Sequence, residues 1–138
     1  AEPDPKGATK TSTSIAECLA DGVPLERISM TSDGNGSLPD FDTDGNMIGL
    51  SVAGFETVPR EFADLVEVEK LDIPTALAPI TINPARMLGL VARKGQLKVG
   101  YDADILVFDD ALTPDSVIAR GKPAMIGKER LLRGTFED

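Results

Sequence analysis

The chain has 138 residues, 41% of them hydrophobic and 27% charged, which suits one ordinary domain with a real core and is too short for a (β/α)8 barrel of about 200 residues or more. Its formal charge of −9, spread along the chain without a basic patch, argues against nucleic-acid binding, and no apolar run is long enough to span a membrane. A single cysteine and no histidine leave no intrachain disulfide and no zinc ribbon, a usage that fits the cytoplasm.

Residues 1–10, with Pro3, Pro5 and Gly7, read as loop and hold no apolar signal-peptide core. A helix follows, capped by a Ser or Thr among residues 11–14, with Ile15, Cys18 and Leu19 as its apolar stripe. Gly22 ends it and Pro24 blocks its continuation. On that stripe Cys18 is expected to be a buried core thiol. Residues 28–32 alternate in polarity and predict a strand that ends at Asp33. Residues 33–55 are loop-rich, with a tight turn at Asp44-Gly45-Asn46 and a short extended piece over residues 47–52. A second helix has Thr57 as N-cap, Pro59 in its first turn, and Phe62, Leu65 and Val66 on one face. Ile73-Pro74 opens another short helix that Pro79 disturbs. Asn83 as N-cap, Pro84 at the first helical position and Gly89 as stop define the next.

The pattern changes after Leu90. Residues 94–100 predict a short strand between turns, and residues 105–108 a strand buried on both faces. Residues 116–126, turning at Gly121-Lys122, predict a hairpin. The chain thus divides into an α/β part over residues 1–90 and a mostly β part over residues 91–138.

Chemistry is concentrated at Thr31-Ser32-Asp33-Gly34-Asn35-Gly36-Ser37. A carboxylate at the end of a strand, before a glycine-rich loop, is placed where parallel α/β folds put catalytic groups. It can coordinate a divalent metal and accept a proton from water. Taken alone, Asp33-Gly34 and Asn35-Gly36 read first as turn formers. Ser37 could bind a polar substrate group, and has no base to make it a nucleophile. Asp40, Asp42 and Asp44 alternate like calcium ligands but lack the rest of a calcium loop. Glu61, Asp64, Glu67 and Glu69 read as a solvated helix face, and Asp102 and Asp104 as turn residues.

Four elements carry a resemblance. Ser32-Asp33-Gly34, Thr81-Ile82-Asn83-Pro84-Ala85, Lys94-Gly95-Gln96-Leu97 and Gly100-Tyr101-Asp102-Ala103-Asp104 follow one another as in the C-terminal part of the amidohydrolase superfamily, which the chain resembles. Within it, the runs from Gly22 to Ile28 and from Ser32 to Pro39, and the ending Arg133-Gly134-Thr135-Phe136-Glu137, are most similar to the isoaspartyl (β-aspartyl) dipeptidases.

The resemblance implies an α/β fold: the C-terminal piece of a (β/α)8 metal-dependent hydrolase barrel plus a small β domain. Residues 1–90 would supply the last barrel strand with flanking helices, and residues 91–138 the β-domain strands. It implies hydrolysis of β-aspartyl dipeptides at a binuclear Zn2+ site. Asp33 would be a metal ligand and the general base, and Ser37 a substrate contact. The expected assembly is a homo-oligomer, with no nucleic-acid or membrane partner. The family's His-x-His pair, carboxylated lysine and two later histidines have no counterpart here, so the chain alone is expected to be inactive. Alternatives are a hydantoinase, a dihydroorotase relative, a D-amino-acid deacylase, or a noncatalytic self-associating fragment.

Overall fold

The computed structural model describes residues 9–132. The loop read over residues 1–8 and the ending over residues 133–138 lie outside them. Helix α1 (Thr11–Ala20) lies against α2 (Thr57–Glu67), and two shorter helices, α3 (Ile73–Leu77) and α4 (Ile82–Met87), follow with a 3-10 turn over Ala78–Ile80 between them. A hairpin, β1 (Ser37–Phe41) with β2 (Met47–Val52), projects between α1 and α2 in sequence. A four-stranded antiparallel sheet closes the described chain in the order β3 (Ile105–Phe108), β4 (Pro114–Ala119), β5 (Lys122–Ile126), β6 (Glu129–Arg130). Among the described residues no helix is long and apolar enough to cross a membrane.

The core is small and mostly aliphatic. Ile15 of α1, Met30, Phe62 and Leu65 of α2, and Ala76 of α3 form one buried cluster, with Leu19, Leu77, Ile80, Phe108 and Leu112 packed around it. Phe62 is 2% exposed and its ring centroid lies 5.0 Å from that of Phe108. This aromatic pair is where the helical part meets β3. The spacing of positions 58, 62, 65 and 66 explains why α2 turns one face to that core.

Several expectations need correction. No Ser or Thr caps α1: Lys10 holds the cap position, with no capping hydrogen bond from its side chain. The cap comes from α2 instead, because the Ser12 N–H donates to Glu61 Oε2 at 2.6 Å. Lys10 Nζ pairs with Asp64 at 3.0 Å and Thr13 Oγ1 donates to Glu69 Oε1 at 2.8 Å. The acidic face of α2 is therefore a docking face for α1. Cys18 is exposed, since only the Ser12, Ile15 and Leu19 side of α1 meets α2. Helix α2 is capped at Glu56, one residue before Thr57. Helix α4 is capped at Thr81, which puts Asn83 inside it.

Residues 94–100 form turns, with no ladder partner. The segment is held by charge instead: Lys94 Nζ binds Asp102 at 2.9 Å and also Asp104. Asp104 Oδ1 in turn accepts the Arg120 N–H at 2.7 Å, tying the start of β3 to the β4–β5 turn. That turn, Arg120-Gly121, has both residues left-handed, as a tight hairpin requires. Strand β3 lies at the sheet edge, and Val107 is 45% exposed rather than buried. Four apolar residues in a row fit an edge strand here because only β4 pairs with them.

Candidate functional site

Residues 28–32 lead into Asp33, starting from an extended Ile28, and pair with no strand. A ladder needs a neighbour, and this segment has two kinds of anchor in its place. The Met30 N–H donates to the Pro79 carbonyl at 3.0 Å. The Asn83 side-chain amide donates both hydrogens, to Leu25 O at 2.7 Å and Ile28 O at 2.8 Å. Asn83 is 1% exposed, and its own oxygen accepts from Arg86 at 3.3 Å. A buried, fully used amide fixes the chain that leads into Asp33.

Asp33 itself adopts a left-handed backbone, φ 51, as does Asn35, φ 65. Asp and Asn tolerate that region best among residues with side chains. Such strain concentrates at functional loops. The turn is closed by the Gly36 N–H on the Asp33 carbonyl at 2.8 Å. A Cβ placed on Gly36 would lie 2.7 Å from that carbonyl and 3.0 Å from Asp33 Oδ2, so the carboxylate rests over Gly36. A Cβ on Gly34 would lie 2.2 Å from the Phe55 ring, which covers the turn. Both glycines are there for close approach rather than for dihedral freedom.

The loop is welded to the hairpin that follows. Asn35 N–H donates to Ala53 O and Ala53 N–H to Gly36 O, both at 2.9 Å. Ser37 then opens β1 opposite Val52. Asp33 and Ser37 are thus brought to one rigid turn at the hairpin root, both exposed. Asp33 does not line the cleft of about 800 Å³ between α2–α4 and β3, whose walls include Phe62, Leu77, Leu97, Leu106 and Phe108. That cleft is mostly apolar, with Lys94, Asp102, Asp104 and Asp109 at its wall. Asp42 is a turn residue, accepting the Asp44 and Asn46 N–H groups at 2.9 Å each, which leaves no calcium loop.

Among the described residues no three His, Cys, Asp or Glu side chains converge on a point that could hold a metal ion. Asp33 is one donor, and a catalytic metal centre needs about three protein ligands. The side chains of the described residues alone do not fit a zinc centre.

The model described as "Amidohydrolase family" matches residues 7–128. The chain belongs to the amidohydrolase family. Two solved structures of an amidohydrolase fold, both β-aspartyl dipeptidase from Fervidobacterium islandicum AW-1, superpose closely. The one in complex with β-Asp-Leu dipeptide has a TM-score of 0.74 at 31% identity, covering 91% of this chain and 33% of that one. The other has a TM-score of 0.71 at 25% identity over 96% of this chain. Among curated relatives, N-acetylglucosamine-6-phosphate deacetylase of Bos taurus is 37% identical over 67 residues, 49% of this chain and 16% of its own length. The chain therefore spans about a third of those structures and about a sixth of that relative. Sequence reasoning named Asp33 and Ser37, and the structure brings both to one turn. It missed the anchoring role of Asn83, whose only sequence signal was a polar residue before Pro84.

Proposed function

We propose that this chain is the Asp33-bearing part of a metal-dependent hydrolase that cleaves β-aspartyl dipeptides. The observation that supports this most is the likeness to β-aspartyl dipeptidase across 91% of the chain at 31% identity. In this reading residues 1–90 belong to the barrel and residues 91–138 to a β domain, in a homo-oligomer. Zinc would be held mainly by ligands this chain does not contain, and would polarise the scissile carbonyl. The contribution of this chain is a base and a binding group. Asp33 takes the proton of the attacking water and delivers it to the leaving amine. The rigid turn beneath it keeps the carboxylate in one place, which is what proton transfer in a fixed geometry requires. Ser37 binds a polar group of the substrate at the hairpin root.

A second reading, a deacetylase of N-acetylated amino sugar phosphates, is favoured by the 37% identity to the Bos taurus protein, over 49% of the chain. Both reactions hydrolyse an amide, so Asp33 would serve either. The discriminating experiment offers the complete, zinc-loaded enzyme β-Asp-Leu and N-acetylglucosamine 6-phosphate in separate assays. The dipeptide is expected to be cleaved with the higher kcat/KM. Preference for the sugar phosphate would overturn the proposal.

A further inference from the structure

Asp33 and Asn35 hold left-handed backbones on either side of Gly34. Strain of this kind persists only where the surroundings impose it. Bonds within the loop close the turn: the Gly36 N–H meets the Asp33 carbonyl, and the Gly34 N–H meets Ser32 Oγ at 3.1 Å. They do not orient the turn against the rest of the chain. That orientation comes from residues 53–55. Ala53 is 7% exposed and exchanges two backbone bonds with Asn35 and Gly36. Two residues on, the ring of Phe55 lies against Gly34. A Cβ added there would stand 2.5 Å from Cδ1 and 2.7 Å from Cζ, and closer still to Cε1, and the three atoms nearest that position all belong to Phe55. Gly34 is outside the left-handed region, so its missing side chain makes room for the ring and answers no need of its own dihedrals.

Phe55 sits between fixed points. Ala53 precedes it, and α2 begins at Thr57, whose Oγ1 donates to Gly54 O at 3.4 Å. Phe62 and Leu65 of that helix are buried. The ring therefore ties the turn to the core through α2. Its contact is one-sided, since Phe55 is 63% exposed, so it adds little to the core while it holds the residue next to Asp33.

We infer that Phe55 is a positioning residue for Asp33, a role that rests on the reading of Asp33 as the base. The ring, seated on Gly34, holds the left-handed turn in the orientation from which the carboxylate takes the proton of water. Phe55 acts through Asp33 and not on the substrate.

The test follows β-Asp-Leu hydrolysis by the complete, zinc-loaded enzyme as parent, Phe55→Ala, Gly34→Ala and the double variant. Misplacing a reacting group by an ångström costs about a hundredfold in rate, and a loosened turn incurs part of that, so Phe55→Ala should lower kcat about tenfold. KM and the unfolding midpoint should stay at the parent's values. Gly34→Ala drives a methyl into the ring and should lower kcat at least as far. With the ring gone the methyl meets nothing, so adding Gly34→Ala to Phe55→Ala should cost no more. A raised KM at parental kcat would make Phe55 a substrate contact and overturn the inference. Losses that simply multiply in the double variant would mean that ring and glycine act apart, and parental kcat in Phe55→Ala would mean that the ring positions nothing; both overturn it too. If Phe55→Ala does not fold, Phe55→Leu, which keeps apolar bulk but not the Cε1 and Cζ carbons, carries the same expectation. Asp33→Asn separates the two levels. If it is inactive while Phe55→Ala and Gly34→Ala turn over normally, the positioning role falls alone. If it is as active as the parent, the base reading falls and the positioning role with it.

Discussion

Replacing Phe62 with alanine probes the joint between the helical part and the sheet. Phe62 is 2% exposed, sits in the buried cluster with Ile15, Met30, Leu65 and Ala76, and stacks at a tilt against Phe108. Truncating a buried phenylalanine to alanine costs about 3–5 kcal/mol through lost transfer energy and the cavity left behind. Phe62 also borders the open apolar cleft, so solvent and neighbouring side chains can partly fill the space. The low end, about 3 kcal/mol, is therefore expected. That is a large share of the roughly 5–15 kcal/mol that holds a typical domain together. Urea unfolding followed by far-UV circular dichroism measures it. A double-mutant cycle with Phe62→Leu and Phe108→Leu should return a coupling of about 0.5–1.5 kcal/mol, the usual worth of an aromatic pair. A loss below about 1 kcal/mol for Phe62→Ala, or no coupling, would mean that α2 and β3 do not share a core.

Gly36→Ala introduces a Cβ 3.0 Å from the Asp33 carboxylate and 2.7 Å from its carbonyl. In the complete enzyme kcat should fall about a hundredfold, the scale of displacing a reacting group by an ångström, and unaltered turnover would refute the placement. Asn83→Leu takes the amide partner from the carbonyls of Leu25 and Ile28; Leu25 O keeps the Ile28 N–H at 3.1 Å, so the loss falls mainly on Ile28 O, at about 1–3 kcal/mol for an acceptor left unpaired, and urea unfolding should register it. The Lys94 clasp should carry a pH signature. The hydrogen bond from Lys94 is the main cause holding Asp102 and Asp104 below the ordinary 3.8, with the Arg120 N–H adding to it at Asp104. Bonds to Asp104 and then Asp102 hold Lys94 above 10.5. Depressed carboxyls stabilise the fold above 3.8 and lose that as pH falls through their lower folded values. The raised lysine stabilises it below 10.5 and loses that as pH climbs through its higher folded value. The stability gap between parent and Lys94→Met should therefore be flat across neutral pH and shrink at both extremes. A gap that changes near pH 7 would contradict it.

The helices were legible because local rules govern them. The apolar spacing of Phe62, Leu65 and Val66, the Pro59 signal and the Gly89 stop all survive in the fold. The hairpin over residues 116–126 was legible from Gly121, which needs its left-handed turn. Errors arose where distant groups decide. Nothing near Ser12 in sequence announces that Glu61 caps its N–H. Nothing near Asn83 announces that its amide reaches back to Leu25 and Ile28. Residues 28–32 have the composition of a strand, yet a ladder depends on a neighbour that no local pattern reveals. Val107 was misjudged for the same reason, since an edge strand and a central one can share one apolar run. At the site, the chain position of Asp33 was readable, whereas the close approach of Gly36 to its carboxylate was not.

The most direct test of the central claim is the turnover of β-Asp-Leu by the complete, zinc-loaded enzyme carrying Asp33→Asn. The amide keeps the size and hydrogen-bonding shape of the carboxylate but cannot take a proton. If Asp33 is the base, kcat falls by about two to four orders of magnitude, the usual contribution of such a group, while the unfolding midpoint stays within error of the parent. Near-normal turnover in Asp33→Asn would show that the proton goes elsewhere and would contradict the account.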